Sequence, residues 1–189
     1  MLRIGIIGDI GSGKSYVAKN FGFPVFNADD EVGKLYKKDR KIFNKLKKAL
    51  PKYIYSFPIK KNEISNAILG NQSSLKKIVK IVHLEIRKKM NKFLRKNINK
   101  KAVILDIPLL LENKINKKKD ILVFVKSKKL DVLKRLKKRK NFNPKLFNKF
   151  KDIQLPSDYK KKKTQFVIIN NFTKKSVKIG IKKIIKEIL

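Results

Sequence analysis

The string Gly8-Asp9-Ile10-Gly11-Ser12-Gly13-Lys14-Ser15 fits G-x-x-x-x-G-K-[ST], and it stands between an apolar run at residues 2–7 and a helical pattern at residues 16–21. No other feature constrains the fold so strongly, because this loop works only where a buried strand hands over to a helix. Its glycines let backbone N–H groups converge on a phosphate, and the helix that follows presents its positive end. The lysine reaches the β- and γ-phosphate oxygens, and the Ser15 hydroxyl is a Mg2+ ligand. Chance agreement, from the chain's own Gly, Lys and Ser/Thr frequencies, is roughly 0.5%. Asp9 is the odd residue, since a carboxylate near phosphates is repulsive unless it faces away from them.

Short apolar runs at residues 4–7, 102–105, 121–125 and 166–169 read as buried parallel strands, and Pro24, Val25 and Phe26 add a short one after the first helix. Helical patterns lie between them. Leu75, Ile78, Val79, Val82 and Ile86 recur at three-to-four spacing, and Val177, Ile181, Ile184, Ile185 and Ile188 form a stripe near the C-terminus. Strands alternating with helices predict an α/β fold with a parallel sheet. Residues from about 40 to 100 hold no convincing strand and predict a helical insertion at the carboxyl edge of the sheet, within a single domain.

The 189 residues include 51 Lys and Arg against 14 Asp and Glu, a net charge of +37. Such an excess suits polyanions, because clustered cations release counterions. Arginine appears only as Arg3, Arg40, Arg87, Arg95, Arg135 and Arg139, so the excess is lysine, and with abundant Asn, Ile and Phe it matches an AT-rich coding sequence. Residues 1–33 carry Arg3, Lys14 and Lys19 against Asp9, Asp29, Asp30 and Glu31, a sum of −1. The excess therefore lies after the loop, in runs such as 117–119, 137–140 and 160–163, and is expected to form a solvated coat. A hydrophobic share of 42% still supplies a core. The absence of cysteine excludes disulfides and thiolate zinc sites, and a lone histidine leaves little for an imidazole metal site. No apolar run approaches the ~20 residues that span a bilayer. A cytoplasmic protein with no membrane partner and no obligate nucleic acid is expected.

A guanine-reading switch protein would need Asn-Lys-x-Asp, and the nearest string, Asn116-Lys117-Lys118-Lys119-Asp120, is one residue too long. The short chain, the helical insertion and the arginines Arg135 and Arg139, four apart on the helix expected from Leu130, point to a small-molecule kinase. Further motifs follow in order: Asn27-Ala28-Asp29, His83-Leu84-Glu85-Ile86, Asp106-Ile107-Pro108-Leu109-Leu110-Leu111-Glu112, Arg139, Gln154-Leu155-Pro156 and Ile169-Asn170-Asn171. With the phosphate loop through Tyr16, this ordered set resembles the dephospho-CoA kinase family, whose patterns run G-G-I-G-S-G-K-S-T, D-A-D, H-P-x-I, D-x-P-L-L-x-E, a lid arginine, Q-x-P and I-D-N.

The resemblance implies a P-loop kinase sheet flanked by helices, a helical substrate-binding insertion and a short lid at about 130–160. It implies transfer of the ATP γ-phosphoryl group to the ribose 3′-hydroxyl of dephospho-CoA, with Mg2+. Gly8, Gly11, Ser12, Gly13, Lys14, Ser15, Tyr16, Arg139 and Asn171 would hold ATP, and Ser15 and Asp106 the metal. Asp29, His83, Arg87, Pro108 and Glu112 would meet the acceptor. Asp29 would take the hydroxyl proton while Lys14 and Arg139 stabilise charge on the phosphoryl oxygens. The chain departs from the pattern at Asp9, at Asn27 in place of the first acid, at Leu84 in place of proline, and at Phe150, where the family often has arginine.

Blander readings stand beside these. Asp29, Asp30 and Glu31 also make an acidic first turn that suits a helix N-terminus, His83 suits a satisfied helix position, and Asn170 and Asn171 suit a turn. A kinase of another small hydroxyl substrate would share the loop and lid without needing the His83 and Asp106–Glu112 motifs together. A nucleic-acid-binding ATPase or polynucleotide kinase would need lysines gathered beside aromatics.

Overall fold

Five parallel strands form one sheet in the order β2-β3-β1-β4-β5. The computed structural model describes residues 1–71, 73–139 and 142–189. The strands are β1 (Leu2–Gly8), β2 (Val25–Asn27), β3 (Ala102–Asp106), β4 (Ile121–Lys126) and β5 (Phe166–Ile169). The helices are α1 (Lys14–Asn20), α2 (Ala28–Lys38), α3 (Arg40–Ala49), α4 (Lys61–Gly70), α5 (Ser74–Lys96), α6 (Lys129–Lys137), α7 (Pro144–Asp152), α8 (Ser157–Lys162) and α9 (Lys174–Ile188). All of the expected strand runs are strands.

Two compact units emerge: Met1–Asn27 with Asn97–Leu189, and Ala28–Lys96. In the first, Ile4, Ile6, Ala102, Ile104, Val123, Val125 and Ile168 of the sheet pack with Val17, Ala18 and Phe21 and with Val177, Ile181 and Ile184 of α9. The intervening strand residues Val103, Leu105, Leu122 and Phe124 are buried too, as a parallel sheet covered on both faces requires. The C-terminal stripe is thus read correctly, with Ile185 and Ile188 at its margin. The two edge strands depart from this pattern: β2 buries Phe26 and leaves Val25 and Asn27 half-buried, and β5 buries Ile168 and exposes Val167 and Ile169, the latter at 69%.

Strand order places β1 between β3 and β4: from β1 the chain builds β2 and β3 on one side, then crosses to build β4 and β5 on the other. The crevice outside the carboxyl ends of the strands at such a switch point is where open α/β sheets bind ligands. Gly8 is in register with Val125, Asn27 with Asp106 and Lys126 with Ile169, which brings the ends of these strands to one edge.

The second unit is built of helices and their connections, with no strand among its described residues. Helix α5 buries Leu75, Ile78, Val82, Ile86 and Met90 at the expected spacing, and Leu35, Ile42, Phe43, Leu46, Ala67 and Ile68 supply the other helices' share of the core. Asp39 caps α3 by accepting from the Ile42 N–H at 3.0 Å. The unit starts at Ala28, earlier than the boundary near 40 read from the sequence, because α2 belongs to it: Leu35 is buried and Glu31 pairs with Lys89 of α5 at 3.2 Å. Among the described residues no helix is long and apolar enough to cross a membrane.

Candidate active site

The loop between β1 and α1 is built around two left-handed glycines, Gly11 at φ 82° and Gly13 at φ 91°. A Cβ on Gly13 would stand 2.4 Å from the Asn170 side-chain nitrogen, so the close approach of these two segments needs glycine as much as the dihedral does. Asn170, 1% exposed, donates from that nitrogen to the Ser12 carbonyl at 2.8 Å and accepts from the Phe172 N–H at 2.9 Å. Ser127, just past β4, donates to the same Ser12 carbonyl at 3.0 Å. The cradle is therefore braced from the ends of two neighbouring strands. Inside it the Ser12 hydroxyl is buried with no hydrogen-bond partner, a polar atom ready for a ligand oxygen. Lys14 donates to the Gly8 and Asp9 carbonyls at 3.0 and 2.9 Å, and Ser15 and Tyr16 are exposed at the start of α1.

Asp9 does not simply face solvent. Its carboxylate pairs with Lys160 of α8 at 2.7 Å and accepts from the Ser157 hydroxyl. Burial works against its ionisation, but the bonds from Lys160 and Ser157 and the charges of Lys160 and Lys14 outweigh that and hold its pKa below the usual value. Lys160 is 2% exposed, so the run 160–163 is not wholly the solvated coat expected for it. A small cavity beside the loop is lined by Gly8, Lys14, Leu109, Glu112, Gln154 and Lys160, among others. Glu112 anchors the Gln154-Leu155-Pro156 segment by accepting from the Leu155 N–H at 3.0 Å. Pro108 is half-buried in the turn after β3, which continues into Leu109 at φ 57°.

Asp106, at the end of β3, is buried and accepts from the Asn27 amide at 2.7 Å. A second carboxylate at position 27 would have no proton to donate in its ionised form, so the Asn27 departure replaces a repulsive neighbour with a hydrogen bond. The donor set suits a hard, largely hydrated cation: one hydroxyl, Ser15, and one carboxylate, Asp106, with no cluster of three or more His, Cys, Asp or Glu among the described residues.

One expectation needs correction, and two residue placements are worth stating. Arg135 and Arg139 do not share a helical face, because α6 ends at Lys137 and the Arg139 N–H closes a turn on the Leu136 carbonyl at 3.0 Å. Both arginines are exposed, and the Arg135 guanidinium lies over the Phe172 ring at 4.4 Å. Asn171 is an exposed turn residue whose side chain accepts from the Thr173 N–H at 3.2 Å, and it is Asn170 that reaches the loop.

In the helical unit, Asp29 is exposed in the first turn of α2, beside Asp30 and Glu31. Its charge, together with burial as the larger cause, pushes the Tyr36 hydroxyl up to about 12. His83 and Arg87 lie one turn apart on α5. The His83 Nε2 is buried without a hydrogen-bond partner, and burial first, then the Arg87 charge, lower its pKa below 6.5. The ring is thus neutral at pH 7. The stability tied to that state is fully present above pH 6.5 and is lost as pH falls through the lowered folded value. As the chain's one histidine, it gives a single imidazole NMR titration. We expect a midpoint below 6.5 that moves upward in Arg87→Gln; a midpoint at or above 6.5 in the unmodified protein would contradict this assignment.

The dephospho-CoA kinase family profile matches residues 2–176. A dephospho-CoA kinase of Wolbachia pipientis wMel is 33% identical over 187 residues, covering 96% of this chain and 95% of that protein. Among solved structures, a protein of Thermus thermophilus superposes with a TM-score of 0.79 at 22% identity, over 100% of this chain and 98% of the other. A dephospho-CoA kinase from Campylobacter jejuni superposes with a TM-score of 0.61 at 21% identity, over 98% and 96%. At these identities the two structures speak for the fold.

Proposed function

Because the chain belongs to the dephospho-CoA kinase family, we propose that it transfers the γ-phosphoryl group of ATP to the ribose 3′-hydroxyl of dephospho-CoA, in the cytoplasm. The observation that carries this reading is the phosphate cradle at the sheet's switch point, with an unpartnered Ser12 hydroxyl inside it and Lys14 at its mouth. Lys14 leaves the Gly8 and Asp9 carbonyls for the β- and γ-phosphate oxygens, where its charge meets the negative charge that develops as the phosphoryl group moves. Ser15 and Asp106 are the residues that would hold Mg2+, which when bound neutralises charge between the β- and γ-phosphates. Asp29 accepts the proton of the 3′-hydroxyl as that oxygen bonds to the γ-phosphorus and the bond to the β-phosphate oxygen breaks, leaving ADP and a 3′-phosphate.

His83 supports an acceptor site in the helical unit, since a neutral, buried ring nitrogen with no partner is available to a substrate hydrogen bond. Pro108 and Glu112 shape the turn after β3, where they would meet the acceptor. The Arg135 guanidinium, over the Phe172 ring at 4.4 Å, is a second candidate contact for the nucleotide beside Arg139, the candidate for a lid that closes on the phosphates. A coupled assay of ATP consumption, run with dephospho-CoA beside adenosine, nucleoside monophosphates and 5′-hydroxyl DNA, tests the proposal. Turnover is expected with dephospho-CoA; turnover of another acceptor and none of dephospho-CoA would overturn it.

A further inference from the structure

A fully buried lysine is rare unless its charge is paired, because leaving water costs an ammonium group several kcal/mol. Lys160 meets that condition through a carboxylate 151 positions away in sequence, on the first variable residue of the phosphate loop. Its remaining polar contact is the Gln154 side-chain oxygen at 3.4 Å. Asp9 is held from two sides. Its backbone carbonyl accepts from Lys14, inside the loop, and its carboxylate accepts from Lys160 and Ser157, outside it. The inner tie is shared, because the Asp9 carbonyl also accepts from the Ser12 N–H at 3.1 Å, and it weakens as Lys14 turns its donors toward a phosphate.

We propose that Lys160, acting through Asp9, is a positioning residue that holds the first turn of the phosphate cradle in place when Lys14 moves to the nucleotide. The inference rests on the reading of this loop as an ATP cradle. Lys160 lines the same small cavity as Lys14, Glu112 and Gln154, so the brace stands at the mouth of the cradle and not at a distant surface. Ser157 opens α8 and Lys160 closes its first turn, which gives the short helix two grips on one carboxylate.

Titration calorimetry with ATP, on the full chain, tests this in the unmodified protein, Lys160→Met, Lys160→Arg, Asp9→Asn and the Asp9→Asn/Lys160→Met pair, with Tm and dephospho-CoA affinity measured alongside. Loss of one charge-assisted contact should raise the ATP dissociation constant about tenfold in Lys160→Met. Lys160→Arg should restore most of that affinity, the double variant should be no worse than the weaker single variant, and dephospho-CoA affinity should not move. Asp9→Asn leaves a buried cation unpaired and is expected to lose the most Tm. Should it fail to fold, Lys160→Met, which buries no charge, carries the test alone. A Lys160→Met protein with a lowered Tm but an ATP dissociation constant within twofold of the unmodified protein would reduce the pair to a structural clamp and overturn the inference. An unmodified protein that does not bind ATP overturns the cradle reading itself, and the brace with it.

Discussion

Lys14→Ala is expected to reduce kcat by at least about 10²- to 10³-fold, the scale on which removing one preorganised charge donor from a reacting centre is felt. The expectation follows from what surrounds the ammonium. Its two loop acceptors are the Gly8 and Asp9 carbonyls, each of which belongs to the cradle. Truncation removes the only side-chain cation that the motif aims at the β- and γ-phosphates, and no rotation of Lys160 replaces it, because the buried Lys160 ammonium is committed to the half-exposed Asp9 carboxylate. The sheet and its core clusters do not include Lys14, so the variant should fold. Steady-state rates beside a thermal melt separate the two effects. A rate unaltered in a folded variant would mean that this loop is not where the phosphoryl group is handled.

The second large effect is expected from Asp29→Asn, which keeps the shape of the side chain and removes its capacity to accept a proton. General-base catalysis contributes about 10²- to 10⁴-fold, so kcat should fall within that range while ATP affinity stays nearly constant. Asp29, Asp30 and Glu31 together form the first turn of α2, where carboxylates favour the helix through its dipole, at roughly 0.3–1 kcal/mol each. Asp30→Asn removes the same kind of stabilisation and serves as the control: it should match Asp29→Asn in Tm and leave kcat near that of the unmodified protein. If Asp29→Asn keeps activity within a few fold, the acidic turn is there for the helix and the base must be sought elsewhere.

Much of the molecule is legible in the sequence for a simple reason. Buried parallel strands must be apolar on both faces, so runs such as Ala102-Val103-Ile104-Leu105 announce themselves in a chain whose remaining surface is lysine. The phosphate loop is equally plain, because two glycines forced into the left-handed region and a lysine at fixed spacing leave few substitutes. What stays hidden depends on contacts across long sequence separations. Nothing local distinguishes Lys160 from Lys161, Lys162 and Lys163, and its burial is decided by Asp9. Asn170 and Asn171 are chemically identical neighbours. Only the path of the chain after β5 sends the first to Ser12 and the second to Thr173. A helical period extended through a lysine-rich stretch with no stop signal puts Arg139 on the face of Arg135, but the helix ends two residues short of it. The start of the helical unit is hard to read because α2 carries little apolar periodicity, with Leu35 its only large buried residue.

The outermost strand gives the lysine surplus a use unconnected with phosphate. β5 ends the sheet with one row of backbone donors and acceptors unmatched by a further strand, and it shows Val167 and Ile169 to solvent. An open, apolar edge of that kind is a template on which a second copy of the chain can add a strand and begin to aggregate. Here the edge is only four residues long and lies in sequence between the 160–163 lysine run and Lys174 and Lys175 at the start of α9. Charged flanks of this sort act as gatekeepers, and a net charge of +37 sets every copy against every other. High salt confines that repulsion to within a few ångströms. The composition that tells least about catalysis thus works against strand addition at this edge.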